Sequence, residues 1–166
     1  ETPKETPSLS IPSPTTYLIQ FAHAHLDFRR VEFDASLSLA DRPPEDTYAA
    51  FDAGRPFLLA DFPTEQQARE VCERCVLIKA VYRPLSAGGT ARACAAGLAA
   101  SEEPKSRSWK VAFETFAWKY TRAEQAAMRQ EFIAKLAPQG PACMQAPDLL
   151  YTVVHEFAVT PDGSPV

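Results

Sequence analysis

Asp27-Phe28-Arg29-Arg30-Val31-Glu32-Phe33-Asp34-Ala35-Ser36-Leu37-Ser38-Leu39 threads in two ways, and the choice decides the fold of the first half of the chain. Val31, Phe33, Ala35, Leu37 and Leu39 alternate with polar residues, as on a half-buried strand, whereas Phe28, Val31, Ala35 and Leu39 line one face of a helix. Periodicity alone slightly favours the strand. Asp27 is the candidate N-cap for whichever element follows.

Outward from this stretch the signals sharpen. On its N-terminal side Tyr17-Leu18-Ile19-Gln20-Phe21-Ala22 is a β-branched and aromatic run of strand length. Residues 1–15 are rich in Pro, Ser and Thr and are expected to be a disordered leader. On the other side Arg42-Pro43-Pro44-Glu45-Asp46 breaks the chain. Thr47 to Asp52 and Phe57 to Ala60 then flank an Ala53-Gly54-Arg55-Pro56 turn, which predicts a hairpin. Thr64 and Gln67 form a capping box that opens a helix from Glu65 to about Cys75, and Val76 to Tyr82 reads as a strand stopped by Pro84.

Beyond Pro84 the pattern repeats. Thr90 to Ala100 is Ala-rich and predicts a helix, with Gly97 its weak point. Ser108 to Thr115 predicts a strand with Trp109, Val111, Phe113 and Thr115 on one face and Lys110, Ala112 and Glu114 on the other. Thr121-Arg122-Ala123-Glu124 is a second capping box, opening a helix whose Phe132, Ile133 and Leu136 extend an apolar stripe to Pro138. Leu149 to Val159 is apolar on both faces and predicts an interior strand. The fold class is therefore α/β (α+β), as two small α/β units divided near Pro84 to Gly88.

With 46% hydrophobic and 23% charged residues, neither wholesale disorder nor a fibrous repeat fits. No apolar run reaches bilayer-spanning length, and the first residues lack a signal-peptide core, so an intracellular, cytoplasmic location is expected. The chain opens at Glu1 without an initiator methionine and closes on Gly163-Ser164-Pro165-Val166, which leads to the expectation that it is part of a longer protein. The net charge of -4 argues against a polyanion partner, but residues 105–135 carry seven basic and three acidic side chains. Lys105, Arg107, Lys110, Lys119, Arg122, Arg129 and Lys135 form either an ordinary solvated surface or a phosphate-binding one.

Motifs for catalysis are lacking. There is no G-x-G-x-x-G, no G-x-x-x-x-G-K-[ST] and no G-x-S-x-G, and Gly88-Gly89-Thr90 reads as a helix start rather than a nucleotide cradle. Cys72-Glu73-Arg74-Cys75 has zinc-pair spacing, but Cys94 and Cys143 are isolated, so no metal site is expected. His23 and His25 form an H-x-H without an obvious third ligand, which favours a structural role.

Phe21-Ala22-His23-Ala24-His25-Leu26-Asp27-Phe28-Arg29, with Glu32 three residues on, resembles the amino-terminal signature of the catalytic subunit of eukaryotic tRNA (guanine(10)-N2)-methyltransferases. Arg69 to Lys79 resembles that family's helix leading into a strand. Trp109 to Phe116, the following helix, then Cys143-Met144 and Pro147 before a β-rich run, resembles a THUMP domain. The resemblance spans about Thr16 to Val159 and implies that Asp27 to Ala40 is helical, overriding the lean toward a strand. It places His23 and His25 at a strand-to-helix corner.

The resemblance further implies an amino-terminal domain at 16–84, a THUMP-like RNA-binding domain at 85–160, and at 161–166 the start of a linker to a methyltransferase domain. That domain's Asp-Pro-Pro-Tyr motif has no counterpart here, the only Pro-Pro being Arg42-Pro43-Pro44-Glu45. S-adenosylmethionine and methyl transfer would then belong to the parent enzyme, with no cofactor and no catalytic residue in this segment. The implied partners are tRNA and a small zinc-binding activator subunit that contacts the methyltransferase domain. By the same resemblance Lys105, Arg107, Lys110, Lys119, Arg122 and Arg129 would hold tRNA phosphates, and Trp118 and Tyr120 would stack on unpaired bases. The alternative is a protein-interaction α/β scaffold without RNA binding.

Overall fold

The computed structural model describes residues 16–22, 24–52, 54–99, 107–116 and 119–156. Chain contacts divide it into two compact units between Pro84 and Leu85. The expected leader at 1–15, His23, and the stretch 161–166 lie outside the described residues.

The first unit is built on three antiparallel strands in the order β2-β1-β3: β1 (Thr16–Phe21) at the centre, β2 (Phe57–Asp61) and β3 (Ile78–Tyr82). Alternation along β1 sends Tyr17, Ile19 and Phe21 into the core with Leu58 and Ala60 of β2. Two helices complete this core, α1 (Leu26–Ser38) through Phe33 and Leu37, and α2 (Glu65–Cys72) through Ala68 and Val71.

The ambiguous stretch is helical, so the lean of periodicity toward a strand is overturned. The helix also turns a different face inward from the one its apolar spacing suggests. Arg29, Phe33, Ser36 and Leu37 are buried, while Phe28, Val31 and Leu39 are 64%, 62% and 75% exposed and Ala35 is exposed as well. Polar residues can occupy the inner face because each has a specific acceptor. Ser36 Oγ donates to the Val71 carbonyl at 2.7 Å. Arg29 Nε donates to the Ala22 carbonyl at 2.9 Å, one terminal nitrogen donates to the same oxygen, and the other donates to the Arg55 carbonyl at 3.4 Å. Asp27 is not the N-cap. The chain enters α1 through His25 in the left-handed region (φ 51°), and Asp27 lies in the first turn, where its charge suits the helix dipole.

The expected hairpin is absent as well. Thr47–Asp52 forms no strand, and a 3-10 turn at Pro44–Asp46 leads into it. Pro44 starts that turn readily because its φ is preset and it needs no N–H. Tyr48 and Phe51 then pack their rings against Phe33 and Phe21, plugging the side of the core instead of extending the sheet. The helix expected from Glu65 to about Cys75 ends at Cys72, and only half of its capping box forms. Thr64 Oγ1 accepts from the Gln67 N–H at 3.2 Å, but Gln67 Oε1 is buried without a partner among the described residues.

The second unit runs α3 (Ala91–Ala99), β4 (Trp109–Phe116), α4 (Arg122–Leu136), β5 (Leu149–Glu156). β4 and β5 are parallel and in register from Trp109↔Leu149 to Phe116↔Glu156. Ala91, Ala95 and Leu98 of α3 and Phe132 and Leu136 of α4 bury against Val111, Tyr151 and Val153. Thr121 and Glu124 form the full capping box, each side chain accepting from the other's backbone N–H. Among the described residues β5 pairs with β4 alone, so the interior position expected for it is not seen there; 157–159 lie outside them. Ser108 and Asp148 clasp the starts of both strands: Asp148 Oδ2 accepts from Ser108 N–H at 3.0 Å and from its hydroxyl at 2.6 Å. Those donors hold the Asp148 carboxyl below the ordinary carboxylate range.

Candidate nucleic-acid interface

The basic side chains near β4 fall into two groups. β4 is eight residues long, so at about 3.3 Å per residue its two ends lie about 23 Å apart. Arg107 and Lys110 sit at its start, Lys119, Tyr120 and Arg122 beyond its end, and a single phosphate cannot reach both. Lys110 is also engaged, its Nζ donating to the Met144 carbonyl at 3.2 Å. Arg107, Lys119, Arg122 and Arg129 are exposed. Lys105 and Trp118 lie outside the described residues. Lys135 is in the last turn of α4, where a cation complements the helix dipole.

What the structure gathers is an aromatic and cationic cluster where β4 and β5 end. Tyr120 Oη and His155 Nδ1 are 3.0 Å apart, and their rings meet edge-on at 5.7 Å. The His155 ring also meets Phe113 edge-on at 6.3 Å, and the Arg129 guanidinium lies 5.9 Å from the Phe113 ring centroid. Burial pushes the His155 imidazole below its ordinary pKa and Tyr120 above its own. The sequence reading found Tyr120 and Arg129 and missed His155, which stands next to last in a largely apolar strand. Only the register of β5 on β4, placing His155 opposite Thr115, carries it to Tyr120.

The cysteine pair has no metal-site geometry. Among the described residues there is no group of three or more His, Cys, Asp or Glu side chains able to hold an ion. Cys72 and Cys75 are buried against the first core, burial pushes the Cys72 thiol up to about 12, and Cys75 Sγ donates to the Val71 carbonyl at 3.5 Å. The one Pro-Pro leads into a 3-10 turn, and a Cβ on Gly88 would come within 2.8 Å of the Ala93 Cβ, so that glycine lets the chain approach α3 closely. No helix among the described residues is long and apolar enough to cross a membrane.

A family model described as the Tmrp11 THUMP N-terminal domain matches residues 15–165. The tRNA (guanine(10)-N(2))-methyltransferase of Saccharomyces cerevisiae is 24% identical over 147 residues, covering 85% of this chain and 34% of its own. The chain thus spans about a third of that relative's length. A crystal structure of PH1313 from Pyrococcus horikoshii superposes with a TM-score of 0.53 at 8% identity, over 84% of this chain and 50% of that one, a likeness of fold alone.

Proposed function

Because the chain belongs to the Tmrp11 THUMP N-terminal domain family, we propose that it is the tRNA-binding region of a tRNA guanine-N2 methyltransferase, positioning tRNA for a catalytic domain outside this sequence. The observation that carries this reading is the pairing of exposed Lys119 and Arg122 on either side of Tyr120, at the end of the β4–β5 sheet. Phosphate contacts from the two cations fix register, and an aromatic surface between them takes an unpaired base. The methyl donor, S-adenosylmethionine, the activator subunit and the cytoplasmic setting belong to the parent enzyme in this proposal. Its division of labour follows domain lines, with an amino-terminal domain at 16–84 and the RNA-binding domain at 85–160.

Binding by the chain alone is expected to be weak and steeply salt-dependent, because few phosphates are neutralised and the net charge of -4 opposes the polyanion. Replacing Lys119 and Arg122 together by Ala should lower tRNA affinity and reduce the salt slope by ~0.7–0.9 per lost phosphate contact. Lys135→Ala is the comparison. Lys110→Ala is less informative because it also removes the hydrogen bond to Met144. A folded double variant that binds tRNA with wild-type affinity and slope would overturn the assignment and favour a protein-interaction scaffold.

A further inference from the structure

We propose that the outward face of α1, formed by Phe28, Val31, Ala35 and Leu39 with Val76 beside it, is the surface on which the catalytic domain of the parent enzyme docks, through an apolar row bordered by Lys and Arg. The inference rests on the reading above, in which a catalytic domain lies outside this sequence, and says which surface that domain meets. The four α1 positions recur at i, i+3, i+7 and i+11, the spacing of a helix face offered to another protein surface. Val31 is 62% exposed, Phe28 64%, Leu39 75% and Val76 87%, and Ala35 is exposed as well. Glu32 accepts from the Val76 N–H at 2.9 Å, which brings Val76 to the same side of the unit. Single apolar side chains on a surface are ordinary, but a continuous row joined by a second part of the chain marks a contact.

Charge selects the occupant. Asp27 and Asp34, four residues before and three after Val31, border the row on one flank, and Glu32, four residues after Phe28, borders it on the other. Asp41 follows at the end of the row and is exposed, as is Asp27. The one exposed cation on α1, Arg30, is held by Asp34 at 3.3 Å, and Arg42 turns away over the Phe62 ring. Glu73 and Arg74, just before Val76, cancel. This acidic frame repels a polyanion, so RNA is not the occupant. A second copy fits poorly too, because an isologous pairing sets the same carboxylates against each other. Size then favours a linked partner. The row spans eleven steps of helix, about 17 Å, on a cylinder about 10 Å wide, whereas free partners need about 800 Å² each to stay together. A domain on the same polypeptide meets the row at high effective concentration and needs less. The methyltransferase relative has that length to offer, since only 34% of it is matched by this chain.

The test compares this chain with the full-length parent enzyme by hydroxyl-radical footprinting. Phe28 and Leu39 should be oxidised readily in the chain and lose most of that oxidation in the parent, while buried Phe33 stays protected in both and reports the fold. Asp27→Lys in the parent should restore part of the oxidation, and Asp27→Asn less. A photo-crosslinking side chain introduced by Val31→p-benzoylphenylalanine then identifies the occupant, and in the parent it should capture a peptide of the catalytic domain within the same polypeptide. Because position 31 is exposed, this variant of the chain should unfold at the wild-type urea midpoint. Equal oxidation of Phe28 and Leu39 in chain and parent would overturn the proposal, as would capture of a second copy or of bound tRNA. None of these results touches the RNA-binding reading, which the salt dependence of the Lys119/Arg122 variant tests separately. Protection and an internal crosslink in a parent that neither binds nor methylates tRNA would sink that reading instead and leave the row a domain interface.

Discussion

The carboxylate of Glu32, on α1, accepts the backbone N–H of Val76 at 2.9 Å across 44 positions of sequence, and its second oxygen accepts that of Leu77 at the same distance. One side chain thereby caps the two amides that lead from α2 into β3. Arg29, one turn earlier, grips the carbonyls of Ala22 and Arg55. The stretch from Phe21 to Glu32 is therefore a structural clasp, closing chain crossings at one end of the first unit.

Glu32→Ala should cost about 2 kcal/mol, since it abandons two amides bonded to a charged acceptor. Glu32→Gln should recover part of that. Urea unfolding reads the difference, and an unchanged midpoint in Glu32→Ala would show the amides to be adequately solvated without the carboxylate.

The inward face of α1 is tested by a pair of substitutions. Phe28→Ser should change stability by about 0.5 kcal/mol or less, because Phe28 is 64% exposed, whereas Phe33→Ala should cost about 3–5 kcal/mol. The reverse order in thermal unfolding would mean that the apolar stripe, not the polar one, faces the core.

Thr121→Ala should weaken α4 by about 1 kcal/mol at neutral pH through loss of its cap. The backbone N–H and hydroxyl of Thr121 hold the Glu124 carboxyl below its ordinary pKa. That contribution is present above the unfolded glutamate value of about 4.5 and fades as pH falls through the lower folded one. The gap between variant and wild type should therefore narrow when unfolding is repeated near pH 3.

Thiol labelling should separate the cysteines. Burial drives Cys72 to about 12, so its neutral thiol stabilises the fold up to about pH 9 and that stabilisation is lost as pH rises toward 12. In the native chain at pH 8, iodoacetamide should modify half-buried Cys143 well before Cys72 and Cys75, and denaturant should abolish the difference. Equal native rates would contradict the burial of the pair.

Local chemistry determined what could be read directly from the residues. Thr121 to Glu124 is a capping box whose two halves lie three residues apart, and the alternation of Trp109, Val111 and Phe113 marks the buried face of β4 without reference to distant parts. The basic run after Lys105 is likewise local. Tertiary structure decided the rest. Periodicity could not orient α1, because its inner face carries Arg29 and Ser36, and those count as polar until the Ala22, Arg55 and Val71 carbonyls are brought to them. Turn residues suggested a hairpin at Gly54, but β2 gains more by pairing with β1, which leaves Tyr48 and Phe51 to fill the side of the core. His155 carried no signal in sequence, since its place beside Tyr120 depends on the parallel register of two strands 33 positions apart, which no local pattern encodes.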